Sequence, residues 1–235
     1  MTTTKIGLLV PINNTTMEHE LARFMHGDVE VCLRRIPRGK GTLSKEDVPA
    51  YKAAAVDLAR TFDDDIDVVA YGCTAAGFLS GPSGDSEIAQ MLADATGKPV
   101  VTTARSMVDT LQEVGANDIA VITPYREAVN SQLRAFLAES GIRVTRLETF
   151  GAETTEELGR IRADEVSVRA RTTMRDDCHG LFIACSQLPT ASILEDLRGT
   201  YTVPVWSSIS ATGYQIEKVL ALDTANRNEM REPLS

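Results

Sequence analysis

Two short apolar runs, each ending in a cysteine, constrain this chain more than any other feature. Residues 67–73 read DVVAYGC and residues 180–185 read GLFIAC, and small and polar residues follow both. A short apolar run bounded by turn residues is typical of a strand that is buried on both faces. Each cysteine therefore follows a buried strand, where the chain turns toward its next element.

The surroundings of the two cysteines also repeat, in the same order. The offsets between matched landmarks are 112, 113 and 105 positions. The matched pairs are Cys73 and Cys185, residues 6–11 and 119–124, and residues 98–103 and 203–208. Three landmarks repeated in one order indicate an internal duplication.

Strands alternate with helices through both halves, which predicts an α/β fold. We expect two pseudo-symmetric Rossmann-like lobes, each a four-stranded parallel sheet flanked by helices. Residues 1–114 and 211–235 would form the first lobe and residues 115–210 the second, because the last helix, 211–222, is expected to pack back on the first half. Ligands of open α/β sheets bind outside the carboxyl ends of the strands, so both cysteines should face a cleft between the lobes. The expected strands are residues 6–10, 28–35, 68–71, 100–102, 119–123, 142–147, 181–184 and 205–207.

Four further segments carry specific expectations. The Gly-, Ser- and Pro-rich residues 78–84 predict a loop. Residues 37–42 predict a mobile basic loop, long enough to be a lid whose Arg38 and Lys40 gather an anion. Thr15 or Thr16 is expected to cap the first helix. Residues 226–235 are expected to form a frayed polar tail.

A thiol at the start of a helix is in a position that favours reactivity. The open N–H groups of a first turn favour thiolate over thiol and attract an anion. We expect a helix after each cysteine. After Cys185 a helix could begin at Pro189, and residues 192–197 are predicted to form a short helix. Two facing helix N-termini would stabilise an enediolate, and thiolate addition to an activated alkene requires no metal. Residues 72–77 lack the Gly-x-Gly-x-x-Gly spacing of a nucleotide loop.

Composition excludes several classes of partner. The net charge of −9 over 235 residues argues against a nucleic acid or a membrane surface, since both require a basic face. No apolar run reaches the roughly 18 residues that span a bilayer. The start of the chain lacks a signal-peptide core, so we expect a cytoplasmic protein. Cys178, His179 and Cys185 lack a fourth ligand for zinc, and no metal site is expected.

Several of these motifs together resemble the aspartate/glutamate racemase superfamily, in the branch that holds maleate cis–trans isomerase and arylmalonate decarboxylase. The motifs that carry the resemblance are residues 10–16, residues 71–74, residues 123–125 with Asn130, and residues 184–189. The resemblance implies a cofactor-independent enzyme that acts on a small carboxylate. It also implies that Cys73 attacks the double bond of a cis-dicarboxylate while Cys185 exchanges a proton.

The resemblance further implies a set of substrate contacts, with Asn14 on one carboxylate and the Tyr125 hydroxyl on the substrate or the enediolate. The implied contacts are Asn14, Thr74, Ala75, Tyr125, Thr155, Ser186 and Gln187. Two departures leave the substrate open. Thr154 or Thr155 stands where the isomerases have asparagine, and Ala75 stands where the decarboxylases have serine.

Isomerisation of a maleate-like dicarboxylate is the first functional hypothesis. A two-cysteine racemase of an amino acid or hydantoin-like carbon acid is the nearest alternative. An activity like that of arylmalonate decarboxylase is disfavoured, because the resemblance implies glycine at the first cysteine position of decarboxylases. A non-catalytic carboxylate-binding protein is the remaining class. The oligomeric state stays open, with a homodimer as one alternative.

Overall fold

The computed structural model describes residues 3–38, 41 and 43–229, with side chains through residue 222, and these residues form two four-stranded sheets. The strands are β1 (Thr4–Pro11), β2 (Val29–Ile36), β3 (Val68–Tyr71), β4 (Val100–Thr102), β5 (Asp118–Thr123), β6 (Arg143–Thr149), β7 (Gly180–Ile183) and β8 (Val205–Ser207). The helices are α1 (Met17–Glu20), α2 (Val48–Ala59), α3 (Thr74–Leu79), α4 (Gly81–Thr96), α5 (Thr103–Glu113), α6 (Glu127–Glu139), α7 (Thr155–Gly159), α8 (Ala163–Thr173), α9 (Leu194–Thr200) and α10 (Ser208–Glu229).

The two sheets have the same topology. The strand orders are β2-β1-β3-β4 and β6-β5-β7-β8, and every pairing is parallel. All four residues of β3 and all four of β7 are buried, as expected for central strands covered on both faces. The predicted α/β fold with two four-stranded parallel sheets is confirmed. Because equivalent strands end in equivalent places, Cys73 and Cys185 come to matching points of the two sheets.

The stretch predicted as a loop at residues 78–84 is helical, and that prediction is wrong. Helix α3 runs to Leu79, and α4 begins at Gly81. Gly81 has a φ of +71°, and this left-handed residue breaks the path between the two helices. Proline in the first turn of a helix costs no hydrogen bond, so Pro82 starts α4 rather than preventing it.

The last helix packs on the first sheet. Ile209 and Ile216 of α10 join a buried cluster with Ile6 and Leu8 of β1. The helix continues to Glu229, so the frayed tail predicted from residue 226 is wrong as far as residue 229. Residues 230–235 lie outside the described part of the chain. The lobe boundaries at residues 114 and 210 stay a prediction.

Candidate active site

Cys73 lies between the end of β3 and the start of α3. It is the N-cap residue of α3 in an extended conformation, and its side chain is 4% exposed. The backbone N–H groups of Ala75 and Ala76, in the first turn of α3, lower the pKa of its thiol, although no side-chain cap hydrogen bond is formed. The strand thus delivers the thiol to the open end of a helix, as the sequence predicts.

Cys185 occupies the matching place after β7 but is not followed directly by a helix. Its sulfur, 6% exposed, accepts a hydrogen bond from the Gln187 backbone N–H at 3.4 Å. The short helix predicted at residues 192–197 is present as α9, but it begins at Leu194 and not at Pro189. The Glu20 carboxylate accepts hydrogen bonds from the backbone of residues 190 and 191, which anchors this turn to the first half. Only Cys73 therefore has a helix N-terminus beside it.

The expectation that these sites favour thiolate is also wrong for the unliganded protein. Burial raises the pKa of Cys73, although the N–H groups of α3 and the Tyr51 hydroxyl act in the opposite direction. Burial raises the pKa of Cys185 to about 11, with Tyr125 and the Gln187 N–H acting against it. The desolvation cost of a buried sulfur anion exceeds the contribution of a few donors. Negative charge on Cys73 raises the pKa of Cys185 further, so Cys185 keeps its proton when Cys73 ionises.

Tyr125 places a hydroxyl group beside the two thiols. Its buried ring packs edge-to-face on Phe78 of α3, with ring centres 5.5 Å apart. Asn130 donates to the Tyr125 carbonyl at 2.9 Å and accepts from Thr123 at 2.7 Å, which fixes the turn after β5. Burial and the negative charge of a Cys185 thiolate raise the pKa of Tyr125, so its hydroxyl stays protonated and acts as a donor.

A small cavity of about 30 Å³ lies at the carboxyl ends of the two sheets, and neither thiol lines it. Tyr125 and Ala75 line it, and each of these residues influences the ionisation of a thiol: the Ala75 N–H lowers the pKa of Cys73, and the Tyr125 hydroxyl lowers that of Cys185. The other lining residues are Arg38, Leu43, Arg126, Val129, Thr155 and Leu158. The half-buried Arg38 lowers the pKa values of Cys73 and Tyr125 through its charge, which makes this cavity electropositive. A larger groove of about 390 Å³ between α4, α5 and α10 contains neither thiol.

Four of the residues predicted to contact substrate form hydrogen bonds between the two halves of the chain. Asn14 donates from Nδ2 to Ser186 Oγ at 3.0 Å, and Ser186 donates to the Gly72 carbonyl at 2.8 Å. Gln187 Oε1 accepts from the Thr15 backbone N–H at 3.1 Å. Thr74 donates to Ser208 Oγ at 3.2 Å. These bonds join the two halves of the chain through Gly72 and Thr74, the neighbours of Cys73, and through Ser186, the neighbour of Cys185.

Asn14 also caps α1. Its Oδ1 accepts from the backbone N–H groups of Thr16 and Met17, at 3.0 and 3.1 Å. The prediction of a threonine side-chain cap is wrong, since the hydroxyl of the N-cap residue Thr16 accepts no bond from the first turn and Asn14 supplies the side-chain oxygen. With Oδ1 and one amide hydrogen engaged, the second amide hydrogen of Asn14 is the group that remains for a ligand.

The structure separates the two threonines of the second-half loop. Thr154 caps α7 by accepting from the Glu157 N–H, whereas Thr155 lines the cavity with Tyr125. Thr154 also forms an antiparallel bridge with Gly41, so the segment predicted as a lid reaches the second half of the chain. Arg38 donates to the Gly41 carbonyl at 2.6 Å. Lys40 lies outside the described residues, and the lid stays a prediction.

Sequence reasoning missed Tyr51, whose buried hydroxyl lies beside Cys73. No sequence signal marks it, because an aromatic residue on an amphipathic helix ordinarily predicts core packing.

Within the described residues, no group of three or more His, Cys, Asp or Glu side chains is arranged to hold a metal ion. In the same part of the chain, no helix combines the length and apolar character needed to cross a membrane.

Comparison with known proteins identifies the family. The model of the arylmalonate decarboxylase family matches residues 6–231. The maleate isomerase of Geobacillus stearothermophilus is 28% identical, over 94% of this chain and 93% of that protein. The arylmalonate decarboxylase of Bordetella bronchiseptica is 27% identical, over 89% and 87%.

Solved structures show the same fold. A variant of the Nocardia farcinica maleate cis-trans isomerase, with a covalently bound succinylcysteine intermediate, superposes with a TM-score of 0.85 at 23% identity, covering 94% of each chain. The maleate isomerase of Pseudomonas putida S16 gives a TM-score of 0.84 at 20% identity, again covering 94% of each chain. The chain belongs to the arylmalonate decarboxylase and maleate isomerase family of the aspartate/glutamate racemase superfamily.

Proposed function

We propose that this protein isomerises a small cis-dicarboxylate of the maleate type to its trans isomer, with Cys73 as nucleophile and Cys185 as proton donor and acceptor. One observation carries the proposal. Two buried thiols, one from each half of the duplicated fold, interact with the hydroxyl of the same buried tyrosine, Tyr125. A paired thiolate and thiol are the reagents that addition and proton transfer require.

The proposed reaction is an addition followed by its reversal. The Cys73 thiolate forms a C–S bond to one alkene carbon, and the π electrons move toward the carboxylate on the other carbon as an enediolate. The Cys185 thiol protonates that carbon, which leaves a thioether and a Cys185 thiolate. After rotation about the new C–C single bond, Cys185 removes a proton, the C–S bond breaks, and the trans alkene forms. Tyr125 donates to the enediolate oxygen, where negative charge develops.

The charge of the cavity supports an anionic substrate. The chain as a whole carries a net charge of −9, yet the lining of this cavity includes Arg38 and Arg126. Arg126 is exposed and forms an ion pair with Glu153 at 2.9 Å. Arg38 is half-buried, and its guanidinium donates to the Gly41 carbonyl with one of five N–H groups. Arg38 is therefore the group best placed to bind a carboxylate.

The relatives support the same reaction. The Geobacillus maleate isomerase is similar over nearly the whole chain. A succinylcysteine, as found in the Nocardia variant, is the thioether that thiolate addition to maleate followed by protonation would produce. The assignment of Cys73 and Cys185 to these steps is our proposal for this chain.

Purified protein mixed with maleate and followed by proton NMR tests the proposal. We expect fumarate to form with the wild type and with Cys178→Ala, a control that removes a different buried thiol. Cys73→Ala and Cys185→Ala should abolish turnover. Activity that survives both substitutions would refute the proposed mechanism. Stabilisation by maleate in a thermal shift without turnover would instead favour a binding protein.

A racemase is the second candidate, and the apolar side of the cavity favours it. Leu43, Val129 and Leu158 line the cavity together with Arg38. Such a lining suits a carbon acid with one carboxylate and an apolar substituent, whose α-proton two thiols would exchange from opposite faces. Incorporation of solvent deuterium at the α-carbon of a chiral substrate, without any maleate turnover, would support this alternative.

A further inference from the structure

Three tyrosine hydroxyls within the described residues are buried and lack a hydrogen bond of standard geometry. They belong to Tyr51, Tyr71 and Tyr125. A buried hydroxyl without a partner costs free energy, so each needs an explanation. Each of the three hydroxyls interacts electrostatically with at least one of the two thiols. The burial of the Tyr125 hydroxyl is already explained by its position beside Cys185.

Tyr51 occupies the first half of α2, the helix that follows the segment carrying Arg38. The side chain is 4% exposed, and its ring lies 6.4 Å from the ring of Tyr71, tilted by 56°. Tyr71 is the last residue of β3, two positions before Cys73. The Tyr51 hydroxyl forms no hydrogen bond of standard geometry, yet it lowers the pKa of the Cys73 thiol.

Tyr51 is suited to donate rather than to accept. Burial raises the pKa of Tyr51, and negative charge on Cys73 raises it further, so the hydroxyl keeps its proton when the thiol loses one. A buried thiolate at position 73 would then have three donors, namely the Tyr51 hydroxyl and the N–H groups of Ala75 and Ala76. Charged acceptors form the stronger hydrogen bonds, so the contact should tighten when Cys73 ionises.

We propose that Tyr51 is a positioning residue whose hydroxyl stabilises the Cys73 thiolate when it forms, and that the Tyr125 hydroxyl acts in the same way on a Cys185 thiolate. The proposal rests on the proposed function in taking Cys73 as the nucleophile. Each half of the site then pairs one thiol with one tyrosine. The two tyrosines come from unrelated positions, since Tyr51 lies on a helix and Tyr125 lies in the turn after β5.

Tyr71 provides a matched control. Its hydroxyl is also buried and without a standard partner, and burial and the charges of Cys73 and Asp85 raise its pKa. The Tyr51 hydroxyl lowers the pKa of Cys73, whereas Tyr71 is not among the groups that do so. Tyr51→Phe and Tyr71→Phe therefore each delete one buried oxygen near the thiol, but only the first deletes a hydroxyl that lowers its pKa.

The test is the pH dependence of Cys73 alkylation by iodoacetamide, measured by peptide mass spectrometry on the substrate-free protein. Tyr51→Phe should move the midpoint for Cys73 upward by about one pH unit, which corresponds to about tenfold less thiolate at neutral pH. The pH midpoint of alkylation is measured rather than its rate at one pH. A thiolate with a higher pKa is intrinsically more nucleophilic, so the rate alone would not report the fraction of thiolate. Tyr71→Phe should leave the Cys73 midpoint in place.

The alkylation of Cys185 serves as an internal measure of folding. An unchanged Cys73 midpoint in Tyr51→Phe, or equal shifts in the two variants, would overturn the proposal. A shift at Cys185 as large as that at Cys73 would also overturn it, because it would reveal a general rearrangement. The alkylation assay needs no substrate, so it is independent of the isomerase proposal. If the wild type does not turn over maleate but Tyr51→Phe shows the expected shift at Cys73, the isomerase proposal is refuted and the role of Tyr51 is supported.

Discussion

Asp85 is a carboxyl group buried against α3, the helix that begins beside Cys73. The residue is 2% exposed, its Oδ2 accepts a hydrogen bond from Thr102 Oγ1 at 2.6 Å, and its Oδ1 has no partner. Burial raises the pKa of Asp85 to about 6, while the bond from Thr102 and the charge of Lys52 act in the opposite direction. Asp85→Asn removes the ionisable group and keeps the shape.

The size of the effect follows from this pKa. Because the folded-state value lies above the ordinary 3.8, the stabilisation is fully present below about pH 4 and is lost as the pH rises through about 6. A difference of about two pKa units corresponds to ~3 kcal/mol at neutral pH. Of this, about 2 kcal/mol should be lost between about pH 4.5 and about pH 7.5. Asp85→Asn lacks this pH-dependent part of the stability. Any cost of burying the new amide does not depend on pH, so it leaves the pH dependence of the difference unchanged.

Urea unfolding followed by far-UV circular dichroism at several pH values measures the difference. The free energy of unfolding of Asp85→Asn minus that of the wild type should rise by about 2 kcal/mol from about pH 4.5 to about pH 7.5. Asp94→Asn removes an exposed carboxylate from the same helix. Its free energy of unfolding should show the same pH dependence as that of the wild type. A difference between Asp85→Asn and the wild type that stays constant over this range would refute the reasoning.

Three further predictions concern the site and the helix that supports it. A Cβ at Gly77 would lie 2.4 Å from another side-chain carbon, so Gly77→Ala should destabilise the fold by ~1–3 kcal/mol in urea unfolding. Arg38→Gln should slow alkylation of Cys73 by anionic iodoacetate roughly threefold more than alkylation by neutral iodoacetamide, because an attractive charge is lost. Cys73→Ala removes the negative charge that raises the pKa of Cys185, so the alkylation midpoint of Cys185 should fall below about 11.

Each of these predictions has its own control or contrary result. Gly199→Ala, in α9 with no atom near the added carbon, should be neutral or slightly stabilising, and an equal loss in both glycine variants would contradict the steric argument. Equal slowing by the two reagents in Arg38→Gln would show that the guanidinium does not recruit anions. An unchanged midpoint for Cys185 in Cys73→Ala would mean that the two thiols are not coupled.

The sequence alone predicted the duplicated architecture and the position of both thiols. Apolar runs bounded by glycine, proline and polar residues are local signals, and the predicted strands 68–71, 100–102 and 205–207 agree with the structure to the residue. Parallel strands carry equivalent ends to one edge of a sheet, so strand position alone placed Cys73 and Cys185 in matching positions. The same local rules failed at residues 78–84, where proline begins a helix instead of interrupting one.

Tertiary structure decided which side chains meet and how much water surrounds them. Tyr51 reaches Cys73 through helix packing, and Thr155 rather than Thr154 lines the cavity, because α7 uses Thr154 as its cap. The direction of the thiol pKa shifts also depended on burial, which raises both values despite the donors that the sequence predicts. Desolvation is set by every element packed around a group, and no stretch of sequence encodes it locally.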